Sequence, residues 1–293
     1  MANTFDYNTA FCRNIGWVTA SEQSALRGKR IAIAGLGGVG GSHLLTLTRL
    51  GVGAFSISDF DDFELPNFNR QAGAMMSTLN HPKAEVLHDM AKDINPGIDI
   101  RVFPRGVNAD NAASFLDGVD LYVDGLDFFA LESRQLVFHA CRDLELPAIT
   151  AAPLGMGVAL LNFLPGSMSF EDYFGLEGQP EDEQLLRFLI GLSPAMLQRG
   201  YLVDPSAVDF AARRGPSTPM ACELCAGVAA TQALKILLGR GKVLAAPSGM
   251  HFDAYRNKLT HTWRPWGHRN PVQRIAQSIA RRQLRRMRSS SRE

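Results

Sequence analysis

A glycine-rich segment follows a short apolar run near the start of the chain. It reads GLGGVGG over residues 35–41 and supplies Gly35, Gly37, Gly38 and Gly40. Glycines at 35, 37 and 40 have the dinucleotide-binding spacing, which allows a tight turn and close approach of a phosphate to the backbone. The helical stretch that follows would present its N-terminus to that phosphate. The segment therefore predicts a phosphate-binding loop, and the alternative is a packing turn without a ligand.

Charged side chains follow this loop in an order that suits a triphosphate. Asp59 lies 24 positions after Gly35, where an acid reaches a ribose hydroxyl, and Asn67, Arg70 and Lys83 come next. The pyrophosphate of NAD needs no such cations, because backbone amides and a helix N-terminus hold it. A triphosphate with a leaving pyrophosphate does need them. The pattern favours ATP, although each cation taken alone could be a solvated surface charge.

Two further acids lie at the end of a later strand. Asp124 and Asp127 flank Gly125 and Leu126, and the carboxyl ends of parallel strands are where ligands bind in such sheets. A carboxylate at this edge can hold Mg²⁺ against phosphate oxygens. The alternative is that one of the two caps a helix.

These residues are separated by alternating strand and helix patterns. The alternation predicts a doubly wound, mostly parallel, Rossmann-like α/β sheet over 28–152, followed by a mixed C-terminal extension of strands and helices. The predicted strands are 30–34, 54–59, 98–103, 119–124, 147–151, 158–164, 251–255 and 258–263. The predicted helices are 42–50, 83–94, 131–142, 181–191 and 221–238.

Four stretches in this order resemble the ThiF/MoeB/HesA family, the adenylating module of ubiquitin-activating enzymes. They are GLGGVGG, SDFDDFELPNFNRQ, HPKAEVLHDMAKDINP and GVAATQALKILLG. The resemblance covers about residues 8–165 and 220–240.

The resemblance implies a set of nucleotide-binding residues: Gly35, Gly37, Gly38, Gly40, Asp59, Asp61, Asn67, Arg70, Lys83 and Asp127. Asp59 would hold the ribose, and Asp127 would be linked to Mg²⁺ and catalysis. Arg13 matches a family arginine that reaches the ATP of a partner subunit, which implies a homodimer. The implied catalytic residues are Arg13, Arg70, Lys83 and Asp127.

The implied activity is ATP-dependent adenylylation of a carboxylate with release of pyrophosphate. The favoured substrate is the C-terminal carboxylate of a small ubiquitin-like or sulfur-carrier protein, and the alternative is a small-molecule or tRNA-attached carboxylate. Two other classes stay open. An NAD-dependent oxidoreductase would use the same Gly35 and Asp59 to bind its cofactor. A non-catalytic scaffold would bind the nucleotide without forming an adenylylated product.

Three positions depart from the family pattern. Gly41 stands where serine is usual, and Phe128 stands where asparagine usually follows the acid. Only one Cys-x-x-Cys pair, Cys222 and Cys225, is present, so a tetrathiolate zinc site is not expected. Either cysteine could form a thioester, but small buried packing residues are the favoured interpretation.

Composition and charge divide the rest of the chain. Because 46% of the 293 residues are hydrophobic, we expect the chain to bury a sizeable core. Its four cysteines are too few for a disulfide scaffold and indicate a protein of the reducing cytoplasm. We expect no transmembrane segment. Residues 264–293 have nine arginines and one acid, so a charge of +8 contrasts with −7 for 1–263. A solvated tail is the default interpretation, and the alternatives are contact with an acidic partner, with a membrane surface or with RNA. The predicted parts are an arm with a candidate arginine finger (1–27), an adenylation domain (28–165), a substrate- and dimer-packing part (166–263) and the basic tail (264–293).

Overall fold

Parallel strands form the first part of a single sheet. The computed structural model describes residues 4–209 and 212–290, with the backbone alone over 283–290. The strands are Arg30–Ala34 (β1), Ala54–Ser58 (β2), Asp99–Phe103 (β3), Leu121–Asp124 (β4) and Ala148–Leu154 (β5). Their spatial order is β3-β2-β1-β4-β5, and all neighbours are parallel. The order reverses between β1 and β4, so the ligand crevice of such a sheet lies at their carboxyl ends.

Antiparallel strands extend the same sheet. They are Gly157–Phe163 (β6), Ser248–Asp253 (β7) and Lys258–Trp263 (β8), and they follow β5 in that order. The prediction of a mostly parallel, doubly wound sheet with a mixed C-terminal extension is confirmed. Hydrogen bonding between strands continues across the boundary predicted at residue 165.

Helices cover both faces of this sheet. Their bounds are Tyr7–Ala10 (α1), Ala20–Arg27 (α2), Gly40–Arg49 (α3), Lys83–Ile94 (α4), Ala112–Leu116 (α5), Leu131–Asp143 (α6), Phe170–Phe174 (α7), Glu181–Leu192 (α8), Pro219–Leu237 (α9) and Pro271–Ser290 (α10). One apolar core lies between the sheet and α3, α4 and α9, and a second lies between the sheet and α5–α8. Both faces of β1 are buried, as expected of a parallel strand covered on two sides.

Helix α9 packs closely on β5, β6 and α3 because its inner face is built from small residues. That face includes Ala221, Ala226, Ala229 and Ala233, all of them buried. Judged by length and hydropathy alone, α9 could also span a membrane. Its contacts with the sheet are those of a core helix, and 39% of its most apolar window is buried.

The segment predicted as a partly ordered loop over 200–220 contains short 3₁₀ turns. They span Leu197–Tyr201 and Pro205–Ala207, and residues 210 and 211 lie outside the described part. The basic tail forms α10, which packs against α8. The side chains of its later arginines, Arg285, Arg286 and Arg288, lie outside the described residues.

Candidate functional site

The glycine loop connects β1 to α3 and is packed against the end of β4. Gly35 has a φ of +81°, a conformation that side chains rarely adopt. A Cβ atom on Gly40 or on Gly125 would overlap the carbonyl oxygen of Gly35. Three backbone segments therefore meet here at a distance that only glycine permits. The loop lies at the carboxyl edge of β1 and β4, where the sheet topology places the crevice.

Arg70 lies directly against this loop. A Cβ atom built on Gly38 would lie 3.4 Å from Arg70 Nε and 3.3 Å from Cys222 Sγ. The Arg70 guanidinium donates to the carbonyl oxygen of Pro66 and to Asn69 Oδ1, which hold it at the mouth of the crevice. Cys222 lies in the first turn and a half of α9, so the N-terminal end of that helix also borders the loop.

The acids after β2 engage both the loop and Lys83. Asp59 accepts hydrogen bonds from the backbone nitrogens of Leu36 (2.6 Å) and Asp61 (2.9 Å). Burial raises the pKa of Asp59, and the two backbone donors partly oppose that effect. The ammonium of Lys83 is buried at the start of α4 and donates to Asp61 Oδ2 at 2.9 Å. Lys83 is thereby held beside Asp59, on the same edge of the sheet as Arg70.

The two acids that flank Gly125 and Leu126 have different environments. Asp124 is buried and accepts from Arg134 Nε at 2.8 Å and from Thr150 Oγ1 at 3.0 Å. Asp127 is exposed, and its Oδ1 accepts from the backbone nitrogen of Phe129. Asp124 is therefore committed to the core, and Asp127 is the carboxylate available to a ligand.

Arg134 on α6 fixes the loop that carries Asp127. Besides its ion pair with Asp124, its guanidinium donates to the carbonyl oxygens of Leu126 (2.6 Å) and Asp127 (3.1 Å). It also lies over the ring of Phe188 on α8, 4.7 Å from the centroid. Buried ion pairs persist when all their polar atoms are satisfied, as they are here.

Phe128, which replaces the asparagine usual in the family, packs this loop onto α8. Its ring lies 5.1 Å from that of Phe129 and 5.4 Å from that of Phe188. The loop is thus held by aromatic contacts on one side and by Arg134 on the other.

Arg13 lies apart from this cluster, whereas Asn67 is joined to it through its backbone, because its carbonyl oxygen accepts from the backbone nitrogens of Arg70 and Gln71. Arg13 is exposed on the 3₁₀ turn Cys12–Asn14, which is anchored to the far end of α3 by a hydrogen bond from Asn14 to the carbonyl oxygen of Leu50. Asn67 uses its side-chain oxygen to accept from the backbone nitrogen of Glu64, within a 3₁₀ turn. The structure brings together Arg70, Lys83, Asp59, Asp61 and the glycine loop, with Asp127 at the same edge.

Sequence reasoning missed three residues of this region. Gly125 carries no motif of its own, and only its approach to Gly35 reveals its role. The helical spacing of the sequence could have indicated Arg134, because it lies on the same buried face of α6 as Leu131 and Val137. Gln71 is buried beside Gly37, and its Oε1 has no hydrogen-bond partner among the described residues.

Cys222 and Cys225 are both fully buried. Burial raises the pKa of each thiol, and for Cys222 the hydroxyl of Ser217 and the charge of Arg70 only partly offset this. A protonated, enclosed thiol is a poor nucleophile. In this conformation the two cysteines behave as packing residues of α9.

The fold and this cluster define a nucleotide-binding α/β protein with cations at a glycine loop. The sequence profile of the ThiF family matches residues 11–274. The chain therefore belongs to the ThiF family, as its motifs predicted.

Two curated relatives and one solved structure illustrate the similarity. The tRNA threonylcarbamoyladenosine dehydratase of Haemophilus influenzae is 29% identical over 138 residues, which are 47% of this chain and 52% of that protein. The sulfur carrier protein ThiS adenylyltransferase of Escherichia coli is 30% identical over 143 residues, or 49% and 56%. The chain thus spans about half the length of these curated relatives.

The solved structure is that of E. coli tRNA N6-threonylcarbamoyladenosine dehydratase in complex with ATP. It aligns with a TM-score of 0.59 at 20% identity, covering 82% of this chain and 98% of that one. At this identity the similarity establishes the fold.

Proposed function

We propose that this chain is an ATP-dependent adenylyltransferase that converts a carboxylate to an acyl-adenylate. The observation that carries the proposal is the position of Arg70 against Gly38, with Lys83 held at the same edge of the sheet. Two cations beside a glycine loop suit a polyphosphate and exceed what a dinucleotide requires. An NAD-dependent oxidoreductase would leave both unexplained.

In the proposed reaction a carboxylate oxygen attacks the α-phosphorus of ATP. A new P–O bond forms, the bond from the α-phosphorus to the bridging oxygen breaks, and pyrophosphate leaves with that electron pair. The attacking carboxylate is already ionised at neutral pH, so no side-chain base is needed. Arg70 would bind phosphate oxygens, and Lys83 would leave Asp61 to bind them as well. The two cations would neutralise the negative charge that develops on the phosphates in the transition state. Asp59 would accept a hydrogen bond from the ribose.

Mg²⁺ fits the carboxylate that remains exposed at this edge. Mg²⁺ is usually bound by one or two carboxylates together with substrate phosphates, rather than by a complete protein cage. No group of three or more potential metal ligands occurs among the described residues, so Asp127 would share the ion with the phosphates. The bound ion would add positive charge to the phosphates.

The substrate class is supported by the relatives alone. One is named for adenylylation of the sulfur carrier protein ThiS, and another as a tRNA-modifying dehydratase. We therefore place the C-terminal carboxylate of a small carrier protein first and a small-molecule or tRNA-attached carboxylate second. Four free thiols in the chain suit a reducing cytoplasm as the site of action.

ATP–pyrophosphate exchange, measured with each candidate carboxylate, tests the proposal. Arg70→Ala and Lys83→Ala should each lower exchange by roughly 10- to 100-fold, because each removes a charged hydrogen bond to phosphate. Lys258→Ala is the matched control, since it removes an exposed cation from the edge strand β8. ATP binding that survives the double Arg70→Ala, Lys83→Ala substitution would contradict the proposal. Tighter binding of NADH than of ATP would favour the oxidoreductase, and ATP binding without exchange would favour the scaffold.

The proposed site is completed by a second copy of the chain. Arg13 sits at the end of α3 that is remote from the glycine loop, and ten helical residues span about 15 Å. The segment that carries Arg13 therefore does not face its own crevice. An arginine finger from this position would act on the crevice of another protomer.

The exposed face of α9 offers a surface for this second copy. Small or apolar residues, Leu224, Gly227, Val228 and Thr231, line a cleft of about 740 Å³ along the helix. The N-terminal end of α9 borders the glycine loop. Its C-terminal end is followed by Arg240, which donates to Trp17 and Glu22 of the N-terminal arm. A two-fold axis near Val228 would bring the arm of one copy to the glycine loop of the other.

A further inference from the structure

Helix α10 exposes an apolar row instead of burying it. Val272, Ile275 and Ile279 lie three and four residues apart on one side of the helix, and they are 59%, 61% and 51% exposed. The side that contacts α8 buries polar residues, Gln273 and Gln277. A helix that packs on the core of its own protein buries its apolar side and exposes its polar side, and α10 does the opposite. Its apolar row therefore faces outward without a partner among the described residues.

The segment that carries this row is strongly cationic, although the neighbouring first turn of α8 is acidic. No aspartate or glutamate occurs from residue 264 to 292, while nine arginines do. Of those whose side chains are described, Arg269, Arg274 and Arg282 are exposed. Arg282 continues the row of Ile275 and Ile279 at helical spacing, so charge and apolar surface adjoin.

One arginine of the helix fastens α10 to the body of the protein. Arg281 donates to both carboxylate oxygens of Glu183 on α8, through its Nε at 2.8 Å and its Nη2 at 2.5 Å. Glu183 also accepts from Arg187, and these hydrogen bonds, Arg281's first, lower the pKa of Glu183 to about 2. This ion pair holds one side of α10 against α8, and the apolar row lies on the other side.

Exposed tryptophans precede the helix. Trp263 ends β8, and Trp266 precedes the 3₁₀ turn Gly267–Arg269, which contacts α10. Both are about two-thirds exposed. Tryptophan is enriched where one surface meets both apolar chains and water, as at a membrane interface.

We propose that α10 docks the protein on an anionic lipid surface, with Val272, Ile275 and Ile279 inserted and the arginines among the head groups. Apolar insertion combined with arginine is the pattern of interfacial helices. RNA would leave the apolar row without a role, because its phosphates interact with the arginines alone. An acidic protein would satisfy the charges but gives no reason for the exposed tryptophans.

Vesicle flotation of the full chain tests this inference. The chain should float with vesicles that contain phosphatidylcholine and phosphatidylglycerol, stay behind with phosphatidylcholine alone, and bind less as salt rises. The double substitution Ile275→Asp, Ile279→Asp should lower the partition coefficient by at least about tenfold, since burial of both side chains is lost. Arg274→Glu with Arg282→Glu should lower it by about tenfold or more.

Val203→Asp is the matched control, because it adds a charge at a valine that is 97% exposed outside the helix. ATP–pyrophosphate exchange should be unchanged in all these variants, which separates the docking inference from the proposed activity. Equal binding to neutral and anionic vesicles, or binding unaffected by the isoleucine substitutions, would overturn the inference. Binding of RNA or of an acidic protein with no affinity for anionic vesicles would overturn it in favour of that partner.

Discussion

Burial determines which of the charged side chains near the glycine loop can meet a ligand. Asp124 and Asp127 are three residues apart, yet the first is enclosed with Arg134 and the second faces solvent. A buried carboxylate that is already paired and hydrogen-bonded cannot give up its partners without a large cost. Asp127 is therefore the carboxylate that we propose as the magnesium ligand. Lys83 is an intermediate case, because it is buried but its partner Asp61 is half exposed.

His43 on α3 is buried without hydrogen bonds. Neither ring nitrogen has a partner among the described residues, and burial lowers the pKa of His43 to about 4. The unfolded chain takes up a proton near pH 6.5, whereas the folded chain does so only near pH 4. Stability is therefore complete above about pH 6.5 and falls as the pH drops toward 4, by about 3 kcal/mol in total.

We predict that His43→Leu removes this part of the pH dependence. The free energy of unfolding, measured in urea from pH 7 to pH 4, should fall less steeply in the variant than in the original chain. His261→Leu, at an exposed histidine, should leave the slope unchanged. Parallel curves for the original chain and His43→Leu would show that His43 does not titrate between these limits.

The loop between β4 and α6 owes its shape to the helix that follows it. Arg134 reaches back from α6 to the carbonyl oxygens of Leu126 and Asp127 and to the carboxylate of Asp124. A loop held at three points by one side chain keeps its exposed acid in a fixed position. That positioning is a property of the loop and helix together.

We predict that Arg134→Met destabilises the chain by roughly 3–5 kcal/mol, because it leaves Asp124 buried and unpaired. Denaturant unfolding measures this loss. The dependence of ATP–pyrophosphate exchange on Mg²⁺ should also shift to higher concentration, since Asp127 is no longer held in place.

A second substitution separates the two effects. Asp124→Asn combined with Arg134→Met removes the unpaired charge and should recover most of the stability, while the altered Mg²⁺ dependence remains. A double variant as unstable as Arg134→Met alone would show that the guanidinium contributes through packing.

In the proposed dimer, the N-terminal arm of one copy completes the nucleotide site of the other. The arm is fixed to one end of α9 and the glycine loop to the other, so the whole length of that helix separates Arg13 from its own crevice. A two-fold pair would bridge this separation.

We predict that mixing two inactive variants restores activity. Arg13→Ala and Lys83→Ala should each be deficient in ATP–pyrophosphate exchange, and a mixture that has exchanged subunits should recover about a quarter of the original rate, because half of the pairs regain one intact site. Gly227→Glu, at an exposed position of α9 with open space around it, should yield monomers in sedimentation and abolish the recovery. Full exchange activity of Arg13→Ala, or a monomeric original chain, would contradict the dimer.

The prediction of individual elements succeeded where the sequence is strongly periodic. Helix α4 has the predicted bounds, and the strands up to β6 lie within a few residues of theirs. The helices α1 and α7 are short, at four and five residues, and offer too few positions for a pattern to emerge. The pairing of β7 with β6 could not be predicted, because 84 residues separate the two strands and neither sequence specifies its partner.

The sequence by itself determined the class of fold, the glycine loop and the cations that follow it. Each of these depends on residue types at short spacing, where backbone conformation and helical or strand periodicity are local properties. The tertiary structure alone decided that Gly125 must be glycine, that Asp124 is bound to Arg134 and that Asp127 is not, and that the isoleucines of α10 face outward. These facts depend on which distant segments exclude water from a side chain, and that exclusion exists only once the chain has packed.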